Sequence, residues 1–270
     1  MLKTIKKAVL NISHEFSKLN EVEAVVLSGS LGANTEDEYS DIDLYIYSDV
    51  DIPINKRKEI FEPLTNVMEY HNQFWETEDD GILIHPPIGI EVIYRNINSM
   101  KKELENTLTN FQANVGYSTC FWSNVLNSEI LYDKFGRLEE LQKKCKIPYP
   151  PKLKRNIIEK NYPLLRDSVA SYYHQIDKAL KRNDHISVNH RITAFLASYF
   201  DIIFAVNELP HPGEKKLATL VKSQCKHIPE NMEKSINKIL HNKTETLLED
   251  VSELIDNLDK LLVKQNLKNK

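Results

Sequence analysis

Two carboxylates, Asp41 and Asp43, stand two residues apart in Asp-Ile-Asp-Leu-Tyr-Ile-Tyr47, a stretch otherwise aliphatic, β-branched or aromatic. Side chains on a strand alternate faces and rise about 3.3 Å per residue, so both acids leave one face roughly 6–7 Å apart. Like charges at that spacing repel unless a cation lies between them, which is the chemistry of a hard-metal site. Ile42, Leu44 and Ile46 then point into a core and set the register. A third acid, Glu91, sits in Ile-Gly-Ile-Glu-Val-Ile-Tyr94, another apolar run where a lone carboxylate is locally disfavoured. Such departures from local preference collect at functional sites. Three carboxylates on neighbouring strands would offer Mg2+ the oxygen ligands it prefers, alongside substrate phosphate.

The second element of chemistry is the turn Ser28-Gly29-Ser30, ten residues upstream. The chain has only seven glycines, and Gly29 and Gly32 fall within four residues of each other. Glycine lets backbone N–H groups approach a phosphate, and Ser30 adds a hydroxyl. A short helix expected over residues 34–39 would turn its N-terminus toward the same anion.

The elements that must hold these groups follow from periodicity. Ile5, Val9, Leu10, Ile12, Phe16 and Leu19 recur at helical steps, predicting a helix over 3–19. Val22–Leu27 and residues 42–47 read as strands, and 55–65 as a helix ending near Pro63. Two strands flank Pro-Pro-Ile-Gly within 81–94, and Ser99 is expected to cap a helix reaching about 110. A strand at 129–133 and a helix over 136–146 complete this half. Three prolines within 148–151 then interrupt the chain as a stiff connector. Helices are expected over 161–181 and 185–207, and Pro210–Gly213 breaks the chain again. In the last helix Leu247, Val251, Leu254, Leu258 and Leu261 form an apolar stripe, suited to bundle core or to the seam of a homodimer. The expected architecture is α+β. Residues 1–146 form an N-terminal domain with a mixed sheet flanked by helices, 147–152 a Pro-rich linker, and 153–270 an all-α helical bundle. Trp75 and Trp122 read as core residues, and His85 and His190 as ordinary histidines.

Composition narrows the function classes. Hydrophobic residues make up 41% and charged ones 27% of 270 residues, ordinary for a globular chain large enough for two domains. Cys120, Cys145 and Cys225 are odd in number and widely spaced, which argues against a disulfide framework or a structural zinc site. Neither a signal peptide nor an apolar run of membrane-spanning length is evident, so a cytoplasmic protein without membrane contact is expected. Residues 1–145 carry 14 basic against 24 acidic residues, net −10, whereas 146–270 carry 21 against 15, net +6. The acidic half suits metal ions or cationic substrates and makes a nucleic-acid partner unfavourable.

Taken together, these motifs resemble the DNA polymerase β-type nucleotidyltransferase superfamily: a strand, Gly-Gly/Ser, a spacer, Asp-x-Asp and a third acid on a later strand. Gly29, Ser30, Asp41, Asp43 and Glu91 match that pattern, and the likeness is strong over about 20–95. Residues 129–141 are similar to what closes that domain in small-molecule members. The helical remainder resembles more loosely the C-terminal half of antibiotic nucleotidyltransferases acting on aminoglycosides or lincosamides. The resemblance implies an NTP co-substrate and two Mg2+ ions, with catalytic and metal-binding roles for Asp41, Asp43 and Glu91. It implies nucleotide binding by Ser28, Gly29 and Ser30, and transfer of a nucleoside monophosphate, AMP from ATP, to a small-molecule hydroxyl. Glu91 would act as metal ligand or as general base. The acceptor pocket would draw on Tyr172, Tyr173, His174, Asp177, Arg191, Tyr199 and Asp201, and Lys215 and Lys216 are either phosphate contacts or solvated loop residues. A protein-AMPylating transferase and a catalytically idle binding module of the same fold are the other readings.

Overall fold

The computed structural model describes residues 2–32, 37, 40–74, 76–241 and 246–268. Trp75 and most of the helix expected over 34–39 lie outside the described residues. In chain order the first half comprises α1 (Leu2–Ser17), β1 (Val22–Leu27), the one-turn α2 (Gly29–Gly32), β2 (Ile42–Ser48), α3 (Ile54–Phe61), β3 (Thr65–Asn72), β4 (Glu78–Leu83), β5 (Gly89–Arg95), α4 (Ile97–Leu108), α5 (Cys120–Asn127), β6 (Glu129–Asp133) and α6 (Arg137–Cys145). There follow α7 (Pro151–Leu165), α8 (Tyr172–Lys181), α9 (His185–Val206), α10 (Leu217–Gln224), α11 (Met232–His241) and α12 (Leu247–Lys264).

The chain divides into two compact units, Met1–Glu105 with Asn124–Lys146, and Asn106–Ser123 with Ile147–Lys270. The segment 106–123, which the expected division counts with the first domain, therefore packs with the helical unit. In the first unit the strands form one mixed sheet in the order β3-β4-β5-β2-β1-β6. β2 and β5 run parallel, and the other neighbours are antiparallel. One face carries Val25, Leu27, Ile42, Leu44, Ile46, Leu83, Ile90 and Val92, packed against Ile5, Val9, Ile12 and Phe16 of α1 and Ile60 and Phe61 of α3. Beneath that layer Asp79 accepts from Arg57 Nη1 at 2.6 Å, Tyr94 Oη at 2.7 Å and the His71 backbone N–H at 2.8 Å, so this buried carboxylate is saturated by protein donors.

The helical unit is organised around α9, which buries Phe195, Tyr199, Ile202 and Ile203 against α7, α8 and α12. The α12 stripe is spent inside this core, with Val251, Leu254 and Leu258 fully buried.

Local expectations differ from the structure in places with clear causes. The helix expected over 161–181 is two helices, because Ser171 starts α8 by accepting from the His174 N–H. Pro151 opens α7 as its first residue, where a missing N–H costs nothing. Asn96, not Ser99, caps α4, its Oδ1 accepting from Asn98 N at 2.9 Å and Ser99 N at 3.0 Å. β3 and α5 have no strong apolar period in sequence and were not expected; β3 alternates only weakly because it is an edge strand. No helix among the described residues is long and apolar enough to cross a membrane.

Candidate active site

The Ser-Gly-Ser turn leaves β1 beside the start of β2, and backbone geometry makes it tight. Ser28 N–H donates to the Asp43 carbonyl at 2.8 Å, and Gly32 N–H donates to the Ser28 carbonyl at 2.8 Å, closing α2 at once. The buried Ser28 hydroxyl accepts from Asn124 Nδ2 at 2.9 Å and Ser128 Oγ at 3.1 Å, while Asn124 also reaches Tyr45 Oη at 3.1 Å. Ser28 is thus a fastener of the turn, and Ser30 follows it in α2, half-buried.

Gly29 has φ +57°, and a Cβ there would fall 1.7 Å from Asp43 Oδ2. Only glycine lets the turn lie against that carboxylate. Gly89, at the start of β5, does the same for the other acid: a Cβ would fall 2.5 Å from Asp41 Oδ1. Asp41 is exposed and sits one residue before β2 rather than within it. Asp43 is half-buried and is the register partner of Glu91 on the parallel strand β5. Since register partners project from one face, the structure brings Asp43 and Glu91 side by side, with Asp41 over Gly89 next to them.

The row does not end there. Glu91 pairs with Asp80 of β4, and Asp80 pairs with Glu69 of β3. Asp43, Glu91, Asp80 and Glu69 therefore form a single rung of carboxylates across four strands. Like charges directly opposite in a sheet are destabilising, so a rung of them marks a face built for something other than stability. Asp80, Glu69 and Gly89 escape sequence reasoning, which starts the strand at Gly81; the signal was the alternating acids preceding it. Towards the other end the same face closes over, where the Arg95 guanidinium lies 4.0 Å above the Tyr45 ring and bonds Glu76 and Asn124.

Among the described residues no three of His, Cys, Asp and Glu converge closely enough to hold a metal by themselves. Asp43 and Glu91 nonetheless supply hard oxygens, and Mg2+ commonly takes one or two protein carboxylates, completing its shell with water and phosphate. The donor chemistry fits the ion.

The residues expected to line an acceptor pocket in the helical unit are not gathered into one site. Tyr199 and Asp201 are buried in its core. Asp201 accepts from Ser118 N at 3.0 Å, Ser118 Oγ at 2.6 Å and Asn161 Nδ2 at 3.2 Å, pinning the 106–123 segment within that unit. Burial pushes its carboxyl up to about 6. Nearby, the wholly buried His211 donates its backbone N–H to Thr119 Oγ1 at 2.7 Å and places ring Nδ1 3.4 Å from Cys120 Sγ, and burial holds the imidazole down to about 4. Asp177 pairs with Lys181 at 2.7 Å, and Tyr173 meets His174 edge-on. Trp122 is buried, as expected.

Residues 11–111 match the family described as Polymerase beta, Nucleotidyltransferase, and residues 120–217 match a domain of unknown function (DUF4037). No curated protein matches the chain. Among solved structures the chain is similar to a nucleotidyltransferase-like protein from Exiguobacterium sibiricum 255-15, at 11% identity and TM-score 0.45, covering 97% of this chain and 75% of that one. It is also similar to the Thermotoga maritima CCA-adding enzyme complexed with tRNA, at 10% identity and TM-score 0.31, covering 95% and 82%. A STING-associated CdnE c-di-GMP synthase from Capnocytophaga granulosa shares 15% identity at TM-score 0.29, covering 98% and 81%. Likenesses this remote assign nothing on their own. The family match takes in all of β1–β5, the strands that carry the turn and the acids. On that ground residues 11–111 are a polymerase β-type nucleotidyltransferase domain.

Proposed function

We propose that this nucleotidyltransferase moves a nucleoside monophosphate, AMP from ATP, onto a hydroxyl of a small molecule with Mg2+ present, releasing pyrophosphate. The observation that carries the reading is the side-by-side pairing of Asp43 and Glu91, with Gly29 packed against the Asp43 carboxylate. Asp41, Asp43 and Glu91 are the residues that would hold two Mg2+ ions, and the ions, when bound, would offset triphosphate charge and ease deprotonation of the acceptor hydroxyl. The backbone at Ser28, Gly29 and Ser30 would hold the β- and γ-phosphates, which keeps the α-phosphorus in line with the attacking oxygen. The hydroxyl oxygen forms a bond to the α-phosphorus as the bond to the β-phosphate oxygen breaks, and pyrophosphate takes the electron pair. Glu91, exposed at the rung, would serve either as a metal ligand or as the base that takes the hydroxyl proton. The net −10 of residues 1–145 supports a cationic or neutral acceptor over a polyanionic one.

Pyrophosphate release measured with each of four NTPs, Mg2+ and a panel of aminoglycosides, lincosamides and simple amino-alcohols tests the proposal. Release that depends on one acceptor and disappears in Asp43→Ala supports it. Absence of both turnover and Mg·NTP binding by calorimetry would overturn it in favour of an idle module of the same fold.

A further inference from the structure

We propose that Asn124 is a positioning residue for the phosphate-binding turn. It fixes the Ser28 side chain, and through it the Gly29 backbone, so that nucleotide affinity depends on it. The inference rests on the transfer reading above and adds to its site a residue that lies outside the motif.

Glycine at position 29 makes an outside tie necessary. With φ +57° and no Cβ, its backbone has the freedom that lets the turn lie against Asp43. The same freedom leaves a phosphate cradle loose unless a neighbour restrains it. Ser28 is that neighbour, and it is held at three points. Its N–H donates to the Asp43 carbonyl and its carbonyl accepts from Gly32 N–H, each at 2.8 Å. Its buried hydroxyl accepts from Asn124 Nδ2 at 2.9 Å. The first two ties join the turn to the elements next to it, whereas the third comes from α5, 96 residues along the chain. Ser128, four residues after Asn124, reinforces it: its Oγ donates to the Asn124 carbonyl at 2.7 Å and lies 3.1 Å from the Ser28 hydroxyl.

The orientation of the Asn124 amide is dictated as well. Arginine only donates, so the amide oxygen must face Arg95, whose Nη1 reaches Oδ1 at 3.1 Å. Both amide protons are then turned toward the sheet, one to Ser28 and one to Tyr45 Oη at 3.1 Å. Arg95 is itself immobilised: Nε and Nη2 donate to the two oxygens of Glu76 at 2.9 and 2.5 Å, and the guanidinium lies 4.0 Å above the Tyr45 ring. With both protons and its oxygen committed, the amide has a single orientation, as a fixed tie requires.

The test titrates the full chain by calorimetry with Mg2+ and a non-hydrolysable ATP analogue, and separately with Mg2+ and inorganic triphosphate, beside melts followed by circular dichroism. Asn124→Ala should bind both probes about fivefold more weakly, the effect of losing one hydrogen bond that holds the turn. The two losses should be equal, because the turn holds phosphates and not the nucleoside. Ser28→Ala should show the same loss, and the double variant should be no weaker than either single one, since both act through one contact. Parent-like affinity in a folded Asn124→Ala overturns the inference, as does a loss confined to the ATP analogue. Losses that multiply in the double variant overturn it too, and so does parent-like affinity in Ser28→Ala. Asn124→Leu, which keeps the side-chain volume, replaces the alanine variant if that one does not fold. Failure of the parent to bind either probe instead overturns the transfer reading on which the inference rests.

Discussion

The carboxylates of the sheet face and the carboxylate of Asp201 are the same chemical group in opposite settings. Asp41, Asp43, Glu91 and Asp80 stand on an open face beside other acids, and one Asp80 oxygen lacks any protein donor. Asp201 is 1% exposed and takes donors from Ser118 and Asn161. A carboxylate whose lone pairs are all claimed by the protein holds structure together. One that stands in a row of like charges is set up to receive a cation. Residue type does not separate the two; the source of the hydrogen-bond partners does.

Removing one acid from the open face gives the largest contrast. Asp43→Ala should lower turnover by at least about a thousandfold, since a group acting on the reacting phosphate is lost. Its thermal midpoint should hold or rise slightly, because a like-charge pair is relieved. A melt followed by circular dichroism, beside pyrophosphate release, checks both. A fall of many degrees would place Asp43 with Asp201 among the structural acids.

Gly29→Ala tests the same face without touching a carboxylate. The new methyl would overlap Asp43 Oδ2 at a residue with φ +57°. Turnover should fall about a hundredfold, as misplacement of a reacting group by about 1 Å costs that much. Denaturant titration should show a loss of about 1–3 kcal/mol from the strained backbone.

In the helical unit the expected signature is pH dependence of stability, not activity. Asp201, raised to about 6, keeps a proton in the folded state that the unfolded chain releases near 4, so its contribution is full below about 4 and is lost as pH rises through 6. His211, lowered to about 4, works the other way: its contribution is full above about 6.5 and is lost as pH falls through 4. Between pH 4 and 6.5 the two offset each other. Asp201→Asn should unmask a protein that weakens on acidification, and His211→Asn one that strengthens, each by up to about 2–3 kcal/mol. Unfolding free energies from tryptophan fluorescence at several pH values decide it, and slopes unchanged from the parent would dissolve the paired account. Cys120, Tyr117 and Tyr149, whose ionisation burial moves upward, stay neutral throughout this range.

The smallest effect belongs to Ser28→Ala, which removes the acceptor of Asn124 and Ser128. A loss of about 1 kcal/mol and a modest drop in turnover should result, because the turn loosens but Gly29 remains. An effect as large as that of Asp43→Ala would move Ser28 from fastener to direct participant.

The strands that carry the acids are legible in the sequence. Alternation in Asp41–Tyr47 and in Ile88–Tyr94 announces strands with acids on one face, because β-branched and aromatic residues at period two have few other uses. Repeats of three and four likewise announce α1 and α12. Edge strand β3 and short helix α5 stayed hidden because neither buries a full apolar face, and the helix break at 166–171 contains neither the glycine nor the proline that would mark it.

Pattern along the chain thus determines which residues leave a strand together, since that depends only on the alternation of the backbone. It says nothing of which strand lies beside which. Pairing β2 with β5, and β5 with β4, was settled by packing the apolar faces of the sheet against α1 and α3, and that pairing is what aligns Asp43, Glu91 and Asp80 into one rung. The long-range fit of Gly29 to Asp43, and the burial that turns Asp201 from a candidate ligand into a structural tie, arise the same way. Solvation and partnership belong to neighbours distant in sequence, and only the folded chain brings them together.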